Sequence, residues 1–221
     1  MAANACENCH RPHSAGGRKW LLNSAAEENN CYSCHNGNVA GNNIQSEFTG
    51  KTSIHPVALT TGTHDPAEAA VIQSRHVECV DCHNNNAGPG AGGTGPKGPH
   101  GSTWKPLLER QYITTDYTAE SAAYALCYKC HNRNNFINSG GSFSYHMKHI
   151  VEFRTPCNVC HDPHGVSSTQ GNATNNSKLI NFDTSVVRAT SGGQLKFVST
   201  GPSRGQCHLV CHGKSHNPLS Y

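Results

Sequence analysis

Apolar residues are thinly spread along this chain and keep a regular period only over short stretches. Segment 65–75 begins with Asp-Pro-Ala-Glu, the order of an N-cap, a proline at the first helical position and an acidic residue, and it predicts a short helix. Segments 118–129 and 25–32 predict two more helices, each delivering cysteines at its end. Strand-like runs at 180–187 and 195–200 predict one small hairpin, and the rest predicts irregular coil.

Composition argues against an ordinary apolar core. Hydrophobic residues make up 35% of the 221 residues, whereas soluble domains average about 45–50% apolar residues. A chain of this length normally buries a side-chain core, but this one has few large apolar residues, and its Gly/Pro-rich segment 87–101 must be irregular. Something other than side chains is therefore expected at the centre of the molecule.

The cysteines supply a candidate for that centre. Cys-x-x-Cys-His occurs five times and Cys-x-x-x-Cys-His once, and these motifs use all twelve cysteines. Cys-x-x-Cys-His is the attachment motif of c-type haem, in which two thiols bond to the porphyrin and the histidine reaches the iron. The motifs are, in chain order, Cys6–Cys9–His10, Cys31–Cys34–His35, Cys79–Cys82–His83, Cys127–Cys130–His131, Cys157–Cys160–His161 and Cys207–Cys211–His212.

Other uses of paired cysteines fit this pattern less well. A zinc site or a redox dithiol does not need a histidine after every second cysteine, and disulfides would need thiols that haem attachment leaves free. The sixth motif has one extra residue and is the weakest alone, but it completes the cysteine count. We therefore expect one domain, 1–221, of mostly irregular coil with a few short helices, wrapped around a chain of six covalently bound haem c groups.

Six haem irons would need six further axial ligands, and ten histidines lie outside the motif positions. With so many spare histidines, a second histidine at each iron is expected, and Met147 is expected to serve packing. Three histidines are regarded as surplus, namely His64, His208 and His216, and of these His216 is the first candidate to serve as a ligand instead. Seven candidates exceed the six vacancies by one: His13, His55, His76, His100, His146, His149 and His164.

Charge and targeting signals narrow the possible partners and compartments. The formal net charge of +3 does not indicate nucleic-acid binding, because haem propionates would make the loaded protein negative. No apolar run is long enough to span a membrane, and the first residues lack the apolar stretch of a signal peptide. Since c-type haem is attached outside the cytoplasm, we expect an extracellular or cell-surface location after removal of a signal peptide, with the periplasm as the alternative.

Several stretches resemble the multihaem c-type cytochromes of metal-reducing bacteria, namely RHVECVDCH, GPHGS, CNVCHDPHG, INFDTSVV and CHLVCHGKSHNP. Within that group, the count of six motifs and a histidine three residues after the first motif resemble the extracellular cytochrome nanowires of the OmcS type. The resemblance implies a head-to-tail filament in which His13 ligates the haem at His161 of the next subunit. This chain is considerably shorter than OmcS, so loops and subunit contacts should differ.

The expected function is electron transfer without catalysis, as a filament subunit that carries electrons to external acceptors. The alternative is a soluble periplasmic or outer-surface multihaem electron shuttle. A third possibility is a multihaem reductase of the nitrite or hydroxylamine type, which would need an open haem with acid–base residues beside it. Spare histidines for every iron argue against that open position.

Overall fold

The computed structural model describes most of the chain. The predicted helix at 65–75 and the surplus histidine His64 lie outside the described residues. The described residues are 4–51, 53–58, 76–120, 122–138, 141, 143–166 and 174–221.

Two short α-helices lie in the first quarter of the chain. Helix α1 covers Glu27–Tyr32, which confirms the helix predicted at 25–32. Two glutamates in its first turn stabilise the helix, because their charges interact favourably with the positive end of the helix dipole. Helix α2 covers Ile44–Phe48 and is capped by Asn43, whose side chain accepts from the backbone N–H of Ser46.

The other helical elements are single turns. Most of them lie at or near the cysteine motifs, and they order short loops instead of packing together as layers of helices. The 3-10 turns are Ala5–Asn8, Lys19–Leu21, Cys79–Asp81, Pro89–Ala91, Cys127–Lys129 and Cys157–Val159, and the π-helical turns are Asn134–Asn138 and Met147–Glu152.

The helix predicted at 118–129 is wrong. Among its described residues only Cys127–Lys129 is helical, as one 3-10 turn. The backbone N–H of Leu126 donates to the carbonyl of Gln111 at 3.0 Å instead of to its own preceding turn. This segment pairs with a neighbouring stretch of chain, so tertiary contacts override its local helix propensity.

A four-stranded antiparallel sheet closes the C-terminal part of the protein. Strand β3 pairs with all three other strands. The prediction at 195–200 is confirmed by β2, but the run at 180–187 is wrong except at its last residue, and the hairpin partner of β2 is β3. The strands are β1 Val187–Arg188, β2 Lys196–Gly201, β3 Arg204–Cys211 and β4 Lys214–Ser220.

Apolar packing is divided among three small clusters, as the low apolar content predicts. Each cluster packs against cysteines of the motifs, so the attachment segments lie at the centre of the packing. The buried members are Ala123, Tyr124, Ile137 and Ile150 in the first cluster, Tyr32, Phe48 and Val57 in the second, and Val159, Val187 and Leu209 in the third.

The Gly/Pro-rich segment 87–101 is irregular, as predicted, but its backbone is closely fixed. The side chain of Asn85 donates to the carbonyl of Pro96 at 2.9 Å, and the Asn84 side chain accepts from the N–H of Gly98 at 2.7 Å. A Cβ atom at position 93 would lie 2.1 Å from the carbonyl oxygen of Ala87. The segment therefore presents His100 from a fixed loop.

Among the residues that the structure describes, no helix is both long and apolar enough to cross a membrane.

Candidate haem-binding sites

The first five cysteine motifs fold into one shared turn. In each, the backbone N–H groups of the second cysteine and of the histidine donate to the carbonyl of the first cysteine. The distances are 3.1–3.2 Å from the second cysteine and 2.8–2.9 Å from the histidine. Residues three and four apart in a helical turn share one face. The turn therefore groups two thiols and an imidazole as the attachment of one porphyrin requires.

The sixth motif has a different backbone. Cys207 and Cys211 lie on β3, where residues four apart are separated by about 13 Å. Nε2 of His212 lies 2.8 Å from Oδ2 of Asp116, and its ring stacks on Tyr117 with centroids 4.6 Å apart and planes at 18°. The structure thus does not group these two thiols with His212 as it groups the ligands of the first five motifs.

Four motif histidines each face a second histidine from a distant part of the chain. The ring centroids in these pairs are 5.9–6.4 Å apart. The rings are nearly parallel in two pairs, at 14° and 12°, and tilted by 48° and 41° in the other two. The pairs are His10–His100, His83–His164, His131–His55 and His161–His146.

This spacing fits a metal held between two imidazoles. A bond from an imidazole nitrogen to a protein-bound metal such as zinc is about 2.0–2.1 Å, and the ring centroid lies about 1.1 Å behind that nitrogen, so rings on opposite sides of one metal are about 6.2–6.4 Å apart. The residues present therefore fit a haem iron with one histidine on each side of the porphyrin.

Hydrogen bonds select the nitrogen that is available for a metal. Nδ1 of His10, His83 and His161 lies 2.9 Å from a backbone carbonyl oxygen in each case. Nδ1 of His55 lies 2.7 Å from the carbonyl of Pro163. Because a carbonyl can only accept, Nδ1 carries the proton and Nε2 keeps its lone pair. This second-sphere contact is usual for histidines that ligate metals.

Burial also favours the neutral form of several of these rings. It lowers the pKa of His83 and of His161, and it lowers the pKa of His146 to about 3, where the nearby His161 and His149 add to the effect. Neutral imidazole is the form that binds metals. Burial thus keeps the rings of His83, His146 and His161 in the neutral form that could bind iron at neutral pH.

The motif cysteines of neighbouring sites contact each other. The Sγ atoms of Cys31 and Cys79 and a carboxylate oxygen of Glu27 all lie within 4.8 Å of one another. Helix α1 supplies both Glu27 and Cys31, and the Glu27 side chain accepts from the N–H of Cys79 at 2.9 Å. Hydrogen bonding between the thiols of Cys127 and Cys157 lowers the pKa of Cys127 and raises that of Cys157. Sites two and three therefore adjoin each other, as do sites four and five.

The remaining neighbours along the chain are close as well. Burial raises the pKa of Cys9, and the cysteines of the second motif add to the shift. Burial likewise raises the pKa of Cys82 to about 12, with a contribution from the fourth motif, and that of Cys160 to about 12, with a contribution from the sixth. Each of the first five motifs therefore lies within electrostatic range of the motif that follows it in sequence.

The seven candidate distal histidines are placed in different ways. His149 faces His216, which the sequence leaves as surplus, with ring centroids 6.4 Å apart. The sequence ranks His216 first among the surplus histidines but cannot place it, because its burial depends on strand β4, which no sequence pattern predicts. His13 is exposed and His76 is half-buried, whereas the surplus His208 is half-buried on β3. The other four candidates each face a motif histidine: His55, His100, His146 and His164.

Comparison with known proteins gives one family. Residues 1–174 match the family described as outer membrane cytochrome MtrC/MtrF-like, domains II/IV. This range contains the first five motifs and all four pairs of a motif histidine with a second histidine, and it ends before the sheet that carries the sixth motif. No curated protein and no solved structure matches the chain.

Proposed function

Because the chain belongs to the family of outer membrane cytochromes described as MtrC/MtrF-like, domains II/IV, we propose that it is a multihaem electron carrier that acts at the outer surface of the cell. This is the outer-surface shuttle that the sequence left as the alternative to a filament. The matched family does not single out the OmcS-type nanowires that the motifs resemble. We further propose that the chain carries six haem c groups in one domain, 1–221.

The observation that carries this function is the pairing of motif histidines with second histidines. The rings of His83 and His164, and those of His131 and His55, lie on either side of a gap that one metal would fill. A reductase needs an iron with one open position for its substrate. The paired rings leave no such position at these sites, which supports a carrier over an enzyme.

Bound haem supplies a one-electron redox centre at each site, tuned by its axial ligands and by burial. The protein's own part is to orient four of the rings by a hydrogen bond at Nδ1, those of His10, His55, His83 and His161, and to exclude water from the buried members. His146, for example, is only 9% exposed.

The contacts between motif cysteines support a continuous series of sites. Cys31 adjoins Cys79, and Cys127 adjoins Cys157, so two pairs of successive attachment turns meet directly. Cys82 and Cys160 lie within electrostatic range of the fourth and sixth motifs. Sites that follow one another in sequence are thus neighbours in space, the arrangement that a conduit with an entry and an exit needs.

Spectroscopy of the holoprotein tests the carrier function. We expect its mass to exceed that of the chain by six haems, one per motif, all low-spin in the resting protein. The reduced protein should not bind carbon monoxide. His100→Ala should convert one haem to a high-spin form that does bind it, which calibrates the assay. Tight carbon monoxide binding by the unmodified protein would instead favour the reductase.

A filament is the second candidate, and one observation favours it. His13 is exposed and makes no hydrogen bond or ring contact within the described ranges. The motif histidine His35 is exposed too, and no second histidine ring faces it among the described residues. His161, the acceptor that the nanowire resemblance implies, already faces His146. His13 of one subunit would therefore ligate the haem at His35 of the next.

Electron micrographs and spin state test that candidate together. In a filament, His13→Ala should abolish polymers and leave one high-spin haem per subunit, whereas exposed Arg11→Ala should leave both unchanged. Filaments that persist in the His13→Ala protein, or an unmodified protein that stays monomeric at high concentration, would exclude this role for His13.

A further inference from the structure

A buried carboxylate lies where the third and fourth attachment turns meet. It belongs to Glu109, which is 1% exposed and is part of neither motif. We propose that the charge of Glu109 lowers the reduction potentials of the two haems attached at these turns. The inference rests on the proposed multihaem carrier function and deepens it, because it names a residue that sets potentials along the series of sites.

The third and fourth attachment turns are bonded to each other directly. Lys129 donates from Nζ to the backbone carbonyl of Asp81 at 2.6 Å. The two residues have the same place in their motifs, one residue before the second cysteine. The two turns are therefore in contact, and the haems that they would carry are successive members of the proposed series.

Glu109 is held against both turns. Its backbone N–H donates to the carbonyl of Cys82 at 2.9 Å, and its Oε2 accepts from the side chain of Asn84 at 2.7 Å. Its other oxygen, Oε1, lies 2.9 Å from Nζ of Lys129. The backbone and one carboxylate oxygen are thus bound to the segment of the third motif, and the second oxygen faces the fourth motif.

Cations around the carboxylate compensate its burial. A buried charge is stable only when it is paired and hydrogen-bonded. Lys129 supplies one ion pair to Oε1, and Nε of Arg110 lies 3.6 Å from the same oxygen. Arg110 is itself held, because its Nη2 donates to the carbonyl of Gly90 at 3.0 Å. Glu109 is therefore a fixed negative charge inside the protein.

Charges of opposite sign balance at this junction. The two cations, Lys129 and Arg110, lie beside Glu109, and the carboxylate of Asp81 is a second negative charge. Lys129, Asp81 and Arg110 are all within electrostatic range of the Cys130 thiol in the fourth motif. Loss of the charge of Glu109 would therefore leave one positive charge in excess beside both attachment turns.

A buried charge affects the potential of a neighbouring haem. Reduction adds an electron to the haem, so a negative charge nearby disfavours the reduced form and a positive charge favours it. Solvent and salt screen a buried charge much less than an exposed one. Electrons that pass along the series must cross the third and fourth sites, so Glu109 sets the potential at the middle of the path.

Redox titration of single marked haems tests the inference. His164→Ala marks the haem at the third motif by a high-spin signal, and His55→Ala marks that at the fourth. Addition of Glu109→Gln to each of these holoproteins should raise the potential of the marked haem. We expect the ratio of reduced to oxidised haem at a fixed potential to increase about tenfold, which corresponds to about 59 mV for a one-electron couple.

Three further variants separate charge from shape. Glu78→Gln is the matched control beside the third motif, because the Glu78 side chain is 28% exposed and pairs with Lys19 at 3.3 Å. It should shift the potential of the haem at the third motif much less. Glu109→Asp keeps the charge and should leave both potentials close to their starting values. Lys129→Gln removes a cation and should lower both potentials.

The outcomes distinguish this inference from the carrier function. A potential that does not rise in Glu109→Gln, or that rises as much in Glu78→Gln or Glu109→Asp, would overturn the inference. If Glu109→Gln does not fold with its full haem content, Lys129→Gln decides: lower potentials support the inference, and unchanged or higher potentials overturn it. Low-spin haems without carbon monoxide binding in the unmodified protein would still support the carrier function, whereas a protein without haem would remove both.

Discussion

His83 and His164 lie with ring centroids 6.1 Å apart and planes only 12° from parallel, although one belongs to the third motif and the other follows the fifth. His164 stands three residues after His161 and yet faces a different site. Its backbone N–H donates to Asp162 at 2.9 Å, which fixes the turn that directs the ring away from its own motif. Because its two ligands would come from distant segments, a haem bound here would cross-link the fold.

Removal of this ligand should change one site only. In His164→Ala we expect one haem, that at His83, to become high-spin and to bind carbon monoxide, while the total haem content stays the same. His164→Met supplies another iron ligand, and it should keep the haem low-spin with a raised potential. Visible absorption, spin state and redox titration would show both effects. A fully low-spin His164→Ala protein would mean that another residue ligates this iron.

A glycine close to the third motif should be sensitive to one added carbon. A Cβ at Gly90 would lie 2.1 Å from a carboxylate oxygen of Glu109, which is 1% exposed. Glu109 cannot move freely, because Asn84 donates to it at 2.7 Å and Lys129 pairs with it at 2.9 Å. Gly90→Ala should therefore cost about 1–3 kcal/mol in the free energy of unfolding of the holoprotein.

Gly41→Ala is the matched control for that change. Position 41 has no heavy atom within 4 Å of an added Cβ and has an ordinary backbone conformation. Denaturant unfolding should place this variant within about 0.5 kcal/mol of the unmodified protein. Equal unfolding free energies of the two alanine variants would show that the Glu109 side chain can move to accommodate the added Cβ atom.

A single hydroxyl should hold the segment that presents His55. Ser53 is 8% exposed and accepts from the backbone N–H of Leu179 at 2.6 Å. Ser53→Ala leaves that N–H without its acceptor, at an expected cost of about 1–3 kcal/mol in unfolding free energy. Ser46→Ala is the control, because its exposed hydroxyl donates to a carbonyl that water can satisfy. If thermal unfolding shows the same stability for Ser53→Ala and Ser46→Ala, the Ser53 hydroxyl does not have this role.

The sequence predicts correctly those elements whose structure depends on residues close together in the chain. The cysteine motifs and helix α1 could be predicted because each depends on residues within one turn. The helix expected at 118–129 fails because Leu126 donates to Gln111 and Ala123 accepts from Ile113, so two of its backbone groups bond to another segment. Strand β3 is not predicted because the sequence assigns Cys207 and Cys211, with His212, to a haem motif, whereas the structure places both cysteines on a strand.

The axial partners could only be listed from the sequence and not assigned. His55 pairs with His131 and His100 pairs with His10 across long stretches of chain. A spare histidine carries no local mark of which iron it approaches, since that depends on how loops return to the attachment turns. His216 shows the limit most clearly, because only the β3–β4 register makes it a buried residue.

A partly buried carboxylate away from the proposed haem sites should give the protein a measurable acid sensitivity. Both oxygens of Glu120 accept from the Arg133 guanidinium, at 2.6 and 2.9 Å, and Tyr128 donates to the same carboxylate at 2.8 Å. The Arg133 hydrogen bonds, and then that from Tyr128, hold the pKa of Glu120 below its ordinary value in spite of partial burial. The folded protein therefore binds fewer protons at this group than the unfolded chain between the two pKa values.

Stability from Glu120 is fully present above the unfolded pKa of about 4.3 and is lost as the pH falls through the lower folded value. Glu120→Gln should thus lower the unfolding free energy by about 0.5–1 kcal/mol at pH 7. The difference from the unmodified protein should be smaller at pH 3, because that pH lies below the unfolded pKa and the stability contributed by the charge is being lost there. Glu152→Gln is the control, since Glu152 is exposed and has no ion pair in the part of the chain that is described. Denaturant unfolding at pH 7 and pH 3 measures this difference in unfolding free energy. If the Glu120→Gln protein is as much less stable at pH 3 as it is at pH 7, the side chain acts through its shape and neutral hydrogen bonds instead of its charge.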